Sequence, residues 1–384
     1  MIARYTGGLP LALTVIGSHL RGRSVQEWIE DIEKLRRNPH DDIQRILEIS
    51  YDALDGDTKN IFLDIACFFV GHEKKGTTMI LEACGFHVES GIRSLIERCL
   101  LTIDGDIGFK KVEMHDLVRD MGREIVRKES PRNPGKQSRL VDPNVVFDVL
   151  QGNKGTKAIE GMIVNSNMLK NVPLSMEVFT RMVNLRILIL DGLLLRGSFK
   201  YLSNELRLLR LGNCCLSHIQ LDFHFAKLVE LDVSNSNIEE FQPNMQNFVC
   251  LRMLNLNYCE QLKSTPDFTG AQSLQEISFF HCSNLANVHP SIGNLERLVG
   301  LNLSRCKKLK ARSEGNTVQI LLQVREYSVH WYIPKLLGHT PINIFNSCFY
   351  GNEEFDGVGV RVRSITTGAW IVKEPQKYIK FKKF

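Results

Sequence analysis

The most regular feature of the chain is a six-residue apolar pattern, L-x-x-L-x-L. It recurs as Leu185-Leu188-Leu190, Leu206-Leu209-Leu211, Leu228-Leu231-Val233, Leu251-Leu254-Leu256, Leu274-Ile277-Phe279 and Leu298-Leu301-Leu303. Successive first positions lie 21, 22, 23, 23 and 24 residues apart, and Ile159-Met162-Val164 is a weaker copy upstream. Alternation of apolar residues predicts a short strand in each copy, with one face turned inward. A single strand of this length closes no core, so the copies must stack side by side.

A motif of this kind at this period predicts a leucine-rich-repeat solenoid. The positions between the strand leucines form two outward columns, Arg186, Arg207, Val229, Arg252, Gln275, Val299 and Ile187, Leu208, Glu230, Met253, Glu276, Gly300. Apolar residues on that face, Ile187, Leu208 and Met253, predict cover by a protein partner or by a neighbouring part of the same molecule. The residues expected to bind a partner are Arg186, Ile187, Arg207, Leu208, Arg210, Glu230, Asp232, Arg252 and Met253. Three residues past the strand a side chain must satisfy backbone groups where the chain turns away. Cys259, Cys282 and Cys306 hold that place, which predicts interior thiols rather than redox or metal-binding ones.

Residues 1–128 follow a helical period instead. Leu47, Ile49, Ser50, Tyr51 and Leu54 form one stripe, and Ile61, Phe62, Ile65, Ala66 and Phe69 a second that opens at Asp57-Thr58. A third helix follows Glu89. Two β-like runs, Leu100 to Ile103 and Ile107 to Val112, are joined by Asp104-Gly105-Asp106, a tight-hairpin signal. A helix through Leu117, Val118, Met121, Ile125 and Val126 then completes a winged-helix-like order. Ser130 to Gln137, with Pro131, Pro134 and Gly135, reads as a loop. Beyond Leu309 the leucine pattern stops, although Val358 to Ile365 and Ala369 to Val372 are β-like.

Composition narrows the function without naming it. With 43% hydrophobic and 24% charged residues, the 384-residue chain has ordinary globular composition and room for more than one domain. A formal charge of +5 is too mild to imply a polyanion-binding protein as a whole. The ten cysteines include no C-x-x-C pair, which points to a reducing compartment, cytoplasmic or also nuclear. No apolar run is long enough to span a membrane. Arg4 followed by Leu9 to Ile16 imitates a signal peptide, but Gly7-Gly8-Leu9-Pro10 fits a loop feeding a helix better. The lysines at 377, 380, 382 and 383 read as a solvated terminus.

Catalytic signatures are lacking. The P-loop pattern G-x-x-x-x-G-K-[ST] does not occur, nor do H-E-x-x-H, G-x-S-x-G or an EF-hand loop. The chemistry that stands out is Met114-His115-Asp116 at the hairpin-to-helix junction. A histidine there sits where backbone N–H groups converge and the helix dipole favours an anion, while Asp116 is placed to cap the helix.

Gly8-Leu9-Pro10-Leu11-Ala12, Phe62-Leu63-Asp64-Ile65-Ala66-Cys67-Phe68-Phe69 and Met114-His115-Asp116-Leu117 occur in this order ahead of the repeats. The set resembles the plant intracellular immune receptors of the TIR-NB-ARC-LRR class, across roughly residues 1 to 310. Asp120-Met121-Gly122-Arg123-Glu124-Ile125-Val126 resembles the TIR class rather than its coiled-coil relatives. The resemblance implies a multidomain α/β protein: the helical and winged-helix C-terminal part of an NB-ARC module followed by a leucine-rich-repeat horseshoe solenoid. On that basis residues 1–38 are a helical remnant of NB-ARC, 39–128 the winged-helix subdomain, 129–157 a linker, 158–310 the repeats and 311–384 a region of unassigned fold.

The family's fit implies that Pro10 lies against the adenine of ADP, that His115 contacts the β-phosphate, and that Asp116 keeps the winged helix closed on the nucleotide. The chain opens at the Gly-Leu-Pro-Leu motif, so it is expected to be N-terminally truncated, without the TIR domain, P-loop and Walker B aspartates. It is therefore expected to bind neither ADP nor ATP tightly and to be no enzyme. Val141 stands where the family usually has Trp after Ser-Arg-Leu.

The function implied is pathogen-effector sensing and signal transduction in the defence response, with an effector or a host guardee on the repeats and NB-ARC contacts within the molecule. The alternative is a nucleotide-independent adaptor or decoy that works through its repeats alone. Nucleic-acid binding by the winged helix is disfavoured, because Arg119, Arg123, Arg127 and Lys128 alternate with Asp120, Glu124 and Glu129.

Overall fold

The computed structural model describes residues 42–105, 110–166, 173–216 and 224–309, with isolated positions before Asp42 and short strands beyond 309. It divides into two compact units. The first comprises Met1–Lys170, Glu177–Ile189 and Tyr201–Leu209; the second comprises Asn171–Met176, Leu190–Lys200 and Arg210–Phe384.

The first unit is built on a winged helix. Helix α1 (Asp42–Asp52) precedes α2 (Gly56–Asp64), whose N-cap is Asp55 rather than Asp57, because the Asp55 carboxylate accepts the Thr58 N–H at 2.9 Å. Helix α2 runs into a wholly buried π-helical turn, Ile65–Phe69, which ends where Gly71 takes a φ of +81° and reverses the chain. Helices α3 (Lys74–Ala83) and α4 (Val88–Glu97) follow; the sequence pattern had marked α4 but not α3. The wing consists of β1 (Thr102–Asp104) and β2 (Lys111–Glu113), antiparallel with Ile103 opposite Val112. Asp104, expected in a tight hairpin turn, instead belongs to β1 and pairs with Lys111. Helix α5 (Asp116–Glu129) closes the motif.

Residues 129–157, expected as a linker, are folded. Glu129 accepts both the N–H and the hydroxyl of Ser138, at 2.6 and 2.8 Å, and the Gln137 amide donates to Arg127 O and Ser130 O. Gly135 passes so close to Lys154 O that no side chain fits there. Strand β3 (Arg139–Leu140) leads to α6 (Pro143–Gln151), which is capped by Asp142 and starts with Pro143 at its first turn. Val146, Val149 and Leu150 bury the inner face of α6. Strand β3 pairs in parallel with β4 (Gly161–Asn165), the weak upstream copy of the leucine pattern.

The second unit holds most of the repeats. Short strands β5 (Leu174–Ser175) and β7 (Leu195–Arg196) pair in parallel. Strands β6 (Ile187–Asp191) and β8 (Leu208–Gly212) contribute their first residues to one unit and their last to the other. Strands β9 (Glu230–Asp232), β10 (Met253–Asn255), β11 (Glu276–Ser278) and β12 (Gly300–Asn302) form a parallel ladder in one register, so Leu231, Leu254, Ile277 and Leu301 make a single buried row. Beyond Leu309, β13 (His330–Trp331) and β14 (Ile344–Phe345) are antiparallel, as are β15 (Val360–Arg363) and β16 (Trp370–Lys373), which fall on the two β-like runs.

Two devices recur at the turns after the strands. Cys259, Cys282 and Cys306 are fully buried and donate to Val233 O, Leu256 O and Phe279 O of the preceding repeat, at 3.3, 3.0 and 3.1 Å. Cys214, in the same place, donates to Leu190 O at 3.5 Å. Burial pushes the Cys214 and Cys306 thiols up to about 11, and those of Cys259 and Cys282 upward too. At the same turns a left-handed residue donates its N–H to the next repeat: Gly192 to Gly212 O, Asn213 to Ser234 O, Asn235 to Asn257 O, Tyr258 to Phe280 O and His281 to Ser304 O.

The ladder predicts thiol reactivity. Iodoacetamide on the folded protein is expected to modify exposed Cys250 and to spare Cys214, Cys259, Cys282 and Cys306, which react only after denaturation. Peptide mass mapping reads the pattern, and native labelling of those four thiols would contradict it.

Candidate functional site

The junction residue His115 is extended (φ −61°, ψ 142°) and caps α5, its Nδ1 accepting the Leu117 N–H at 3.2 Å. An accepting Nδ1 places the proton of the neutral ring on Nε2. Asp116, expected as the cap, is instead the first helical residue. Its carboxylate pairs with Arg119 at 2.8 Å and adds to the acidic first turn that the helix dipole favours. His115 and Asp116 are both exposed, next to the 41% exposed Leu117. Pro10 lies outside the described residues.

Helix α5 rests on the Phe62 to Phe69 segment through Gly122. A Cβ at that position would come within 2.7 Å of Ala66 Cβ and 3.1 Å of Phe62 Cε1, so the close approach requires glycine. Val118, Met121 and Val126 fill the same core as Phe62, Ile65 and Phe69.

That segment also carries a charge into the core. Asp64 is fully buried, which a carboxylate tolerates only when paired and hydrogen-bonded. Arg139 Nε donates to Oδ1 at 2.7 Å, Arg186 Nη1 to Oδ2 at 2.6 Å and Arg186 Nη2 to Oδ1 at 3.0 Å. Arg139 is further held by the Ser138 hydroxyl and the Asn60 side chain, and Arg186 by Glu160, at 3.0 and 3.1 Å. Burial pushes the Asp64 carboxyl upward, but the two guanidiniums outweigh it and hold the group ionised below its ordinary range. Burial also pushes the neighbouring Cys67 thiol up to about 12.

Arg186 and Arg207 belong to the first two repeats, and both dock on the winged helix. Arg186 lies over the Phe86 ring at 5.3 Å and donates to Cys84 Sγ. Arg207 Nε donates to Ala83 O at 2.7 Å, a cation on the carbonyl end of α3. Beside them Ile187 and Leu208 are 0% exposed and belong to the winged-helix core. Of the two covers expected for these residues, a protein partner or a neighbouring part of the same molecule, the second is found: the molecule's own helices cover them.

The remaining expected partner residues lie in the second unit. Arg210 pairs with Glu230 at 2.8 Å, leaving Glu230 buried. Asp232 accepts from the Asn255 amide at 2.8 Å, and Arg252 and Met253 are half-buried. Among the described residues no cluster of His, Cys, Asp or Glu is arranged to hold a metal, and no helix is long and apolar enough to cross a membrane. Sequence reasoning missed Asp64, Arg139 and Glu160. The available signal was a lone acid inside the apolar run Phe62 to Phe69, since a buried charge demands a partner.

Fold and site together define a winged-helix module whose core is completed by leucine-rich repeats. A family model described as "Disease resistance protein Roq1-like, winged-helix domain" matches residues 55–130. Disease resistance protein RPV1 of Vitis rotundifolia is 35% identical over 315 residues, covering 75% of this chain and 22% of the relative. RUN1 of the same species is 34% identical over 316 residues, covering 75% and 23%. The TMV resistance protein N of Nicotiana glutinosa is 35% identical over 287 residues, covering 75% and 25%. The chain carries a winged helix of the Roq1-like kind and is similar over three quarters of its length to these plant disease resistance proteins, of which it spans about a quarter.

Removing one member of the buried cluster leaves uncompensated charge. Asp64→Asn is expected to destabilise the fold by about 3–5 kcal/mol, whereas replacing Asp64, Arg139 and Arg186 together by Leu, Met and Met recovers most of that loss. Because folding depresses the Asp64 pKa, its stabilisation is present above the ordinary carboxylate range near pH ~4 and lost as pH falls through the folded value. Urea titrations from neutral to acid pH should show an acid loss that is smaller in the triple variant. An equally stable Asp64→Asn protein would refute the assignment.

Proposed function

We propose that this chain is the relay segment of a plant defence receptor, coupling pathogen-effector sensing by the repeats to a nucleotide-dependent switch in the complete protein. The observation that carries the reading is the Asp64 cluster. Arg186, in the first repeat, grips Asp64 at the head of the π-helical turn, and that turn is the bed on which α5 lies. Helix α5 in turn carries His115 at its exposed N-terminus. A displacement of the first repeat would thus reach His115 through packed side chains, without a flexible link between them.

His115 suits the role the family implies. Its Nδ1 is engaged by the helix N-terminus, so Nε2–H is the group left to donate to a phosphate of ADP or ATP supplied with the rest of the module. Asp116, paired with Arg119, would hold that terminus closed, and Pro10 would face the adenine. Effector or guardee proteins are the ligands proposed for the later repeats, around Arg210, Glu230, Asp232, Arg252 and Met253. The setting proposed is the cytoplasm or also the nucleus, and the free buried thiols support a reducing compartment. No catalytic role is assigned to this segment.

The test grafts residues 1–309 into the TMV resistance protein N in place of the matching segment and compares it with the same graft carrying Arg186→Gln. Loosening the grip on Asp64 is expected to release the switch and give cell death without the trigger, at equal protein accumulation. Resting and triggered responses identical to the parent graft would refute the relay.

A further inference from the structure

The left-handed column in the second unit contains its own control. All six repeats need one residue of positive φ just after the strand, and the first three supply residues that adopt it readily: Gly192 (66°), Asn213 (55°) and Asn235 (54°). The last three place Tyr258 (59°), His281 (61°) and Arg305 (62°) there, of which Tyr258 and Arg305 are bulky side chains that seldom adopt this conformation. The turn itself asks only for the conformation, so the large side chains answer to something other than the fold. Strain of this kind gathers at functional sites, where the surrounding structure holds it.

These side chains form one continuous stripe. Tyr258 stands edge-on to Phe280 at 5.2 Å and to His281 at 5.3 Å, and the Arg305 guanidinium covers the Phe280 ring at 5.3 Å. Tyr258 is 42% exposed, and Arg305 is exposed together with Lys307 and Lys308. Among the described residues these three cations pair with no carboxylate. At the other end of the stripe Glu260 lies 4.0 Å from His281 Nδ1. The stripe is therefore cationic over the sixth repeat, aromatic in the middle and anionic over the fourth.

We infer that Tyr258, Phe280, His281 and Arg305 form a peptide-binding stripe for an extended segment of a partner protein, acidic where it crosses Arg305, Lys307 and Lys308. Tyrosine and arginine are the residue types that dominate protein-binding hot spots, and the partner's carboxylates complement the free cations. A nucleic acid fits less well, because its phosphates would meet Glu260 partway along a track of few cations. This inference rests on the reading of the repeats as a protein-recognition surface.

The test uses the full chain and its variant Tyr258→Asn/His281→Asn/Arg305→Asn, whose asparagines adopt the same backbone as Asn213 and Asn235. Two readouts are taken: the thermal unfolding midpoint, and enrichment of random dodecapeptides displayed on phage. The variant is expected to unfold no earlier than the parent. Acidic peptides with apolar residues should enrich on the parent and fall on the order of tenfold or more on the variant. A midpoint lowered by the asparagines would show that the rings serve the fold and would overturn the inference. Equal enrichment on both proteins would overturn the stripe while leaving recognition by the repeats standing; no enrichment on either would remove both. Binding of a single-stranded oligonucleotide to the parent but not the variant would replace the peptide by nucleic acid.

Discussion

A carboxylate without water is stable in a protein only if the molecule itself supplies its counter-charge and its hydrogen bonds, and Asp64 imposes that demand on everything around it. The two guanidiniums that meet it come from far along the chain, 75 and 122 residues away. Their geometry leaves little freedom, because each carboxylate oxygen accepts at 2.6–3.0 Å and each arginine is fixed again by Asn60, Ser138 or Glu160. The winged helix, the folded segment after it and the first repeat are therefore parts of one electrostatically satisfied core. Residues 177–189 of the leucine pattern accordingly belong to the same compact unit as Asp64.

The repeats meet the same demand by smaller means. Where the chain leaves four of the strands, a carbonyl is satisfied by a buried thiol from the next repeat. One N–H at the left-handed residue points along the stack and is taken by the following turn. Both bonds join neighbours, so removing a repeat would leave polar groups unsatisfied on each side as well as exposing a leucine row. The cysteines are thus structural, and the raised pKa values that burial gives them are a consequence of that place rather than a sign of reactivity.

Periodicity made most of this architecture legible. A strand repeat is recorded every 21 to 24 residues in a form that local context hardly disturbs, and the interior role of Cys259, Cys282 and Cys306 follows from their offset alone. Helix α5 was legible for the same reason, since an amphipathic stripe is a local signal, although its cap is His115 rather than Asp116. Two kinds of information were not local. The pattern at Ile187 and Leu208 tells which side of a sheet each residue faces, but not what lies over that side, and here a helical core does. The significance of Asp64 depends on partners that only the folded chain brings near. The 129–157 segment, rich in proline and glycine, has the composition of a loop, yet Gly135 permits a close crossing over Lys154 and Pro143 starts a helix.

Exposure along the outward columns divides the labour among the repeats. Ile187 and Leu208 are 0% exposed, Val229 and Glu230 remain buried, Met253, Gln275 and Glu276 are half-buried, and Val299 reaches 39%. A residue already enclosed by its own chain contributes nothing to a new interface, because the apolar area that drives association has been removed from water beforehand. Among the described residues, the apolar area on this face that is still open to water therefore lies on the late strands. The identity of the left-handed residues changes over the same course, from Gly and Asn where a turn alone is needed to Tyr, His and Arg where the surface is open. Among the described residues, solvent access on the strands and side-chain choice at the turns therefore change together along the repeats.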